Sequence, residues 1–166
     1  MRLDNARLAE LRRALILDSG PERAFDDLTR LLATTLDVPF TMVNMLDADR
    51  DWFKSCVGIA HRQSPADNSL CEVFFNSNSD LIVVEDTLLD VQYSKHPYVL
   101  GPPFLRFYAA ARLTVRGQTV GTLCAYDARP RQLSPEHLAQ LRAMSEAVVD
   151  LITQRSADST VGPGEG

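Results

Sequence analysis

The chain has 166 residues, 45% hydrophobic and 23% charged, a length that fits one domain and a composition that excludes disordered and collagen-like classes. Its 22 acids against 17 bases leave a net charge of -5, so no general basic field draws in a phosphate backbone and nucleic acid is excluded as a partner. The opening MRLDNARLAELRR is charged throughout, and no uncharged apolar stretch is long enough to span a bilayer, which predicts a cytoplasmic protein with no membrane partner.

Leu8, Leu11 and Leu15 recur at helical spacing behind Asp4 and Asn5, predicting a helix over roughly 5 to 17 that Gly20 and Pro21 end. Pro21 suits the first turn of a second helix, whose face carries Phe25, Leu28, Leu32 and Leu36 until Asp37-Val38-Pro39 stops it. Residues 40–46 and 51–57 are rich in β-branched, aromatic and apolar types, and DADR between them is turn chemistry, so they read as a hairpin. The polar stretch from Gly58 to Asn68 is followed by SLCEVFF, a short helix, and LIVVED, a short buried strand. From Thr87 to Pro103 the prolines and Gly101 favour a loop with one helical turn, a candidate lid.

A second hairpin is predicted over 105–115 and 118–127, turning at Arg116-Gly117, where glycine can take a positive φ. Ser134 and Pro135 then cap a long amphipathic helix bearing Leu138, Leu141, Met144, Val148 and Leu151. The tail SADSTVGPGEG, residues 156–166, has almost nothing to bury and is predicted disordered, leaving a single domain over 1–155. Tight turns between neighbouring strands favour an antiparallel sheet with helices on one face and the irregular middle of the chain over the other. The fold class is α+β, layered α/β/α.

A turn at Arg116-Gly117 pairs residues whose numbers sum to 233. Ala111 then meets Thr122, Ala109 meets Cys124, and Phe107 meets Tyr126 on one face; on the other, Arg112 meets Gly121 and Arg106 meets Asp127, a candidate ion pair. The small residues Gly121 and Ala125 beside Leu123 suit close approach of helices. That places Thr122, Cys124 and Tyr126 toward the covered side.

Several motifs in series, DSGPERAFDDLTRL, DADRDWFKSCVG, SLCEVFF, VLGPPFLRFYAAARL and GTLCAYDARPRQLSPEHLAQL, resemble the GAF domain, the small-molecule-sensing module of many bacterial histidine kinases and diguanylate cyclases. The resemblance covers about residues 8 to 155 and implies an antiparallel sheet between a helical layer and a pocket-covering layer. Two departures stand out. RFYAAARL puts Ala110 and Arg112 where similar domains carry glycine and proline, and Ala66 stands where an arginine commonly precedes the SLC segment.

The resemblance implies a stand-alone, non-catalytic sensor that binds an unknown small molecule or a signalling protein in trans, and that forms a homodimer through its terminal helices. The pocket candidates are Trp52, Cys71, Phe74, Tyr93, Phe107, Thr122, Cys124 and Tyr126. Cys56, Cys71 and Cys124 are odd in number and widely spaced, which suggests reduced thiols rather than disulfides or a metal site. Free methionine-(R)-sulfoxide reductases share the fold and use cysteine thiols, but resemble GVLDIDS where this chain has GTLCAYD, so Cys124 and Tyr126 replace two ligand carboxylates. Bilin-binding relatives attach their chromophore at a cysteine typically followed by histidine, whereas Glu72 follows Cys71. His61, His96 and His137 are isolated in sequence, so neither haem nor another metal cofactor is expected. Two alternatives stand beside the sensor: a thiol enzyme of the free methionine-(R)-sulfoxide reductase kind, and a ligand-free protein interaction module.

Overall fold

The structure is a computed structural model that describes residues 1–160. Helices α1 (Asn5–Arg13) and α2 (Arg23–Leu36) lead into β1 (Phe40–Leu46) and β2 (Arg50–Val57), then a three-residue strand β3 (Gln63–Pro65) that the polar sequence concealed. Two short 3-10 helices, Ala66–Asn68 and Leu70–Phe75, precede β4 (Leu81–Val84). A 3-10 turn at Thr87–Leu89 and the one-turn helix α3 (Pro97–Leu100) follow, then β5 (Phe107–Val115), β6 (Gln118–Asp127) and α4 (Pro135–Thr160). The six strands form one sheet in the order β3-β2-β1-β6-β5-β4, with every pairing antiparallel.

Local chemistry sets the helix ends. Asp4 caps α1 by accepting the Arg7 N–H at 3.0 Å, and Ser134 accepts the His137 N–H at 3.1 Å at the start of α4. α1 ends at Arg13, four residues earlier than the leucine spacing predicts. Leu15 takes a φ of 51° and stays exposed, so the chain turns there and buries Ile16. Arg155 fastens this corner by donating to the carbonyls of Ala14 at 3.1 Å and Leu15 at 2.6 Å. α4 runs on to Thr160 with Ser156 fully buried, so residues 156–160 are helical rather than disordered. The remainder of the expected tail, 161–166, lies outside the described residues.

One face of the sheet packs on the helices. Val43, Met45, Trp52, Phe107, Ala109, Ala111, Leu113, Leu123 and Ala125 meet Leu8, Leu11, Phe25, Leu32, Leu36, Leu141, Val148 and Ile152 in one core. The opposite face, with Met42, Leu46, Phe53, Tyr108, Ala110, Cys124 and Tyr126, is covered by Leu70, Cys71, Phe74, Tyr93, Val99 and Leu105 from the irregular middle of the chain. The sheet thus lies between two buried apolar layers, as the layered class requires.

The second hairpin turns at Arg116 and Gly117 with φ of 48° and 79°, the left-handed pair that a two-residue turn uses. Val115 faces Gln118 and Thr114 faces Thr119, as the sum of 233 predicts, but a bulge then makes Gly121 the partner of Leu113. Every later pair is displaced by one residue, which moves the side chains of one strand to the other face relative to expectation. Tyr108 and Ala110, not Phe107 and Ala109, therefore share the covered face with Tyr126 and Cys124. Phe107 joins the helix-side core, as does Trp52. Gly121 answers to a neighbour other than a helix: a Cβ there would lie 2.3 Å from the backbone oxygen of Asn44 on β1.

Candidate functional site

β1 reads FTMVNML, and its alternate residues Phe40, Met42, Asn44 and Leu46 face the covered side. Asn44 is the one polar residue of that row, and it is 1% exposed. Its amide nitrogen donates to Asp51 Oδ2 on β2 at 3.0 Å. Arg2 reaches in from the N-terminal segment to donate to Asp51 Oδ1 at 2.9 Å and to Glu72 of the 3-10 helix at 3.0 Å. It also donates to the Asp47 carbonyl at 2.8 Å. A buried carboxylate needs such partners, since desolvation without them costs several kcal/mol, on the order of an unpaired ion. Arg2 thus ties the covering layer to the sheet.

Beside this network lies a cavity of about 350 Å³. Its walls are mostly apolar, with Met42, Phe53, Ile59, Leu70, Leu105 and Tyr126, while Asn44, Asp51 and Ser64 contribute a polar spot. Asn44 and Asp51 are hydrogen bonded to each other, and Ser64 faces Asp51 across the β2 and β3 pair. No lysine or arginine is among the lining residues. The wall opposite the sheet is held by His96, whose Nδ1 accepts the Tyr98 N–H at 3.0 Å and whose Nε2 lies 3.1 Å from the Asn68 carbonyl. Those two bonds require the neutral imidazole with its proton on Nε2. Burial lowers the affinity of His96 for a second proton, with the Asn68 carbonyl working the other way.

A sulfur cluster adjoins the cavity. Cys71 enters on the 3-10 helix Leu70–Phe75, and its Sγ lies 3.6 Å from Cys124 Sγ, 3.1 Å from Tyr108 Oη and 3.1 Å from Thr122 Oγ1. The Asn44 amide nitrogen stands 3.8 Å away from the same sulfur. Burial alone would push the Cys71 thiol up. The hydrogen bonds from Cys124, Thr122 and Tyr108 outweigh it, against opposition from Asp51, and hold Cys71 below the ordinary thiol value. Cys124 goes the other way: burial and its bond to Cys71 push it well up. Burial likewise raises Tyr108 and Tyr126 well above the ordinary phenol value, and both thiol groups nearby add to it. Tyr108 stacks on Tyr126 with ring centroids 5.2 Å apart and meets Tyr93 edge-on at 5.6 Å.

Of the eight residues marked in the sequence, Tyr126 lines the cavity. Cys71, Phe74, Tyr93, Thr122 and Cys124 gather in the buried layer next to it. Trp52 and Phe107 lie across the sheet among the helices. Arg112 faces the covered side instead of the helices, its guanidinium 5.1 Å from the Phe74 ring and donating to the Ser77 carbonyl at 2.8 Å. The expected Arg106 to Asp127 ion pair does not form. Arg106 pairs with Asp86 at 2.9 Å, and Asp127 takes Arg131. Asn44 and Asp51 were missed, and Tyr108, one of the aromatic residues able to furnish a pocket, was expected on the helix side. Asn44 carried a legible signal, a lone amide in an otherwise apolar strand, while Tyr108 was hidden by the bulge.

Among known proteins, the family model of the GAF domain matches residues 20–151. The chain is 30% identical over 158 residues to a cyclic di-GMP phosphodiesterase of Pseudomonas aeruginosa, a match covering 93% of this chain and 27% of that protein. It therefore spans about a quarter of that relative's length. The GAF domain of an Acinetobacter phosphoenolpyruvate-protein phosphotransferase superposes with a TM-score of 0.69 at 17% identity, over 97% of this chain and 99% of the other. Free methionine-R-sulfoxide reductase from Neisseria meningitidis, solved in complex with its substrate, gives a TM-score of 0.65 at 13% identity, over 92% and 89% of the two chains. At such identities these structures show a shared fold.

Proposed function

We propose, since the chain belongs to the GAF domain family, that it is a sensor module binding a neutral, largely apolar small molecule in the cavity over β1, β2 and β6. The observation that supports this most is the make-up of the cavity: mostly apolar walls with a few polar groups, Asn44, Asp51 and Ser64 together with His61, Asn68 and Ser69, the pattern by which small-molecule sites combine affinity with orientation. Arg2 already neutralises the Asp51 carboxylate from behind the wall, and no lysine or arginine lines the cavity to receive an anion. A cyclic dinucleotide, with two phosphates, suits this site poorly.

On this reading the domain has no catalytic step of its own and passes occupancy to a signalling protein or to a second copy through α1 and α4. The small share of the Pseudomonas phosphodiesterase that it matches supports a regulatory role beside a separate catalytic unit. The inward residues of α4, Leu141, Val148 and Ile152, are already packed within the chain. Pairing of two copies would draw on residues such as Leu3 and Leu15, exposed near the two ends of α1.

The test is thermal melting of the full chain against a panel of neutral heteroaromatic molecules and matched carboxylated analogues. A ligand at a hundred times its Kd stabilises by about 2.7 kcal/mol, enough to raise Tm by several degrees. Stabilisation by neutral members that a cavity-filling Leu70→Trp change abolishes supports the reading. Stabilisation by the anionic members alone, or binding untouched in Leu70→Trp, overturns it.

A further inference from the structure

Cys71 and Cys124 are both fully buried, far apart in sequence, and brought to an Sγ to Sγ distance of 3.6 Å by the docking of the 3-10 helix on β6. Two packing cysteines need no hydrogen bond donors. Here Tyr108, Thr122, Asn44 and Cys124 all bring a possible donor to the Cys71 sulfur, an arrangement that suits a thiolate more than a thiol. We propose that Cys71 and Cys124 are a redox-active dithiol that hydroperoxides oxidise to a disulfide, with Cys71 as the attacking sulfur and Cys124 as the resolving one. The lowered thiol pKa of Cys71 and the raised one of Cys124 agree with those two roles.

The chemistry balances with hydrogen peroxide as the oxidant. The Cys71 thiolate attacks one peroxide oxygen, the O–O bond breaks, and the departing hydroxide takes up the proton that Cys71 gave away, leaving a sulfenic acid and one water. Cys124 then attacks that sulfur, the S–O bond breaks as the S–S bond forms, and the second hydroxide leaves as water with the Cys124 proton. Two thiols and one peroxide become one disulfide and two waters, with the two sulfurs losing the two electrons that the peroxide gains.

Closing the pair needs the sulfurs to approach to about 2.05 Å, a movement within reach of a 3-10 helix, whose hydrogen bonds are poorer than those of an α-helix. Peroxide is close to water in size. It can enter by way of the cavity, whose lining includes Leu70, the residue before Cys71, and Asn44, which contacts the Cys71 sulfur. Cys56 serves as an internal control. It is half-buried, more accessible than either partner, and donates to the Ile59 carbonyl at 3.4 Å. Exposure alone therefore predicts that Cys56 oxidises first, whereas the cluster predicts that the buried pair does.

The experiment exposes the reduced full-length chain to an equal amount of hydrogen peroxide, alkylates the remaining thiols in denaturant, and maps the peptides by mass. The expected result is a linked pair of peptides carrying Cys71 and Cys124, with Cys56 alkylated. In Cys124→Ala the reaction should stop at a sulfenic acid on Cys71 that dimedone traps. Thr122→Val, which removes one donor, should slow the peroxide reaction about tenfold. Cys56→Ser leaves the cluster whole and guards against misfolding of the other variants. Loss of two thiols in Cys56→Ser supports the proposal. Oxidation of Cys56 ahead of the pair, or two alkylated cysteines in oxidised Cys56→Ser, overturns it.

Discussion

Replacing Arg2 by alanine should destabilise the whole domain, although the residue is second in the chain. Its guanidinium is 7% exposed and pairs with Asp51, which is 3% exposed, at 2.9 Å, as well as with Glu72 at 3.0 Å. Without it, the Asp51 carboxylate keeps the Asn44 amide at 3.0 Å and loses its charged partner. Removing one member of such a buried pair costs about 3 to 5 kcal/mol, a third or more of the stability of an ordinary domain at roughly 5 to 15 kcal/mol. Asp51→Ala in the same chain removes the stranded charge, so the double variant should be more stable than the sum of the single effects by about 2 kcal/mol. Urea unfolding followed by circular dichroism measures all four species. A cost below about 1 kcal/mol for Arg2→Ala, or simple additivity, would refute the view that Arg2 neutralises a buried carboxylate and ties the covering layer to the sheet.

Gly121→Ala should cost about 1 to 3 kcal/mol in the same unfolding assay, because the new Cβ meets the Asn44 backbone oxygen at 2.3 Å; unchanged stability would mean that β1 and β6 are not in such close contact. Burial lowers the proton affinity of His96 in the folded chain, so the unfolded chain binds more protons once pH falls through the ordinary histidine value of about 6.5. The stability His96 contributes is therefore present above that value and lost below it. His96→Asn keeps an acceptor for the Tyr98 N–H and does not titrate, so its stability profile between pH 7 and 5, on the order of this titration range, should be flatter; identical profiles count against a lowered proton affinity of His96 in the fold. Light scattering should give twice the 18.4 kDa chain mass if α1 and α4 pair two copies, and a value near the single mass contradicts that mode of output.

The longer strands and the caps of α1 and α4 were legible because they are local, whereas α2 starts at Arg23, past Pro21, with no side-chain cap, and the polar β3 gave no signal. Alternation along GTLCAYD placed Thr122, Cys124 and Tyr126 correctly on the covered face, since alternation within a strand survives any change in its partner. Pairing across the hairpin was not legible. The sum of 233 assumes an unbroken ladder, and the bulge at Leu113 and Thr114 shifts the partner by one residue with no glycine or proline at those two positions to mark it. Phe107 and Tyr108 exchanged faces as a result. The meeting of Cys71 with Cys124, 53 residues apart, depends on where the 3-10 helix docks, which no local pattern encodes. Arg2 gave no signal at all, because a charged residue near a chain end reads as solvated until its carboxylate partners are placed.

The central claim, that the cavity over β1, β2 and β6 takes a neutral apolar ligand, is tested most directly by NMR of methyl-labelled methionine. The chain has four methionines; Met42 lines the cavity, whereas Met144 packs against the helix-side core. Titration with a panel of neutral heteroaromatic probes should shift the Met42 methyl signal in a saturable way and leave that of Met144 in place. Saturable shifts at Met144 with Met42 unmoved, or a Met42 signal that no member of the panel displaces, would contradict the account.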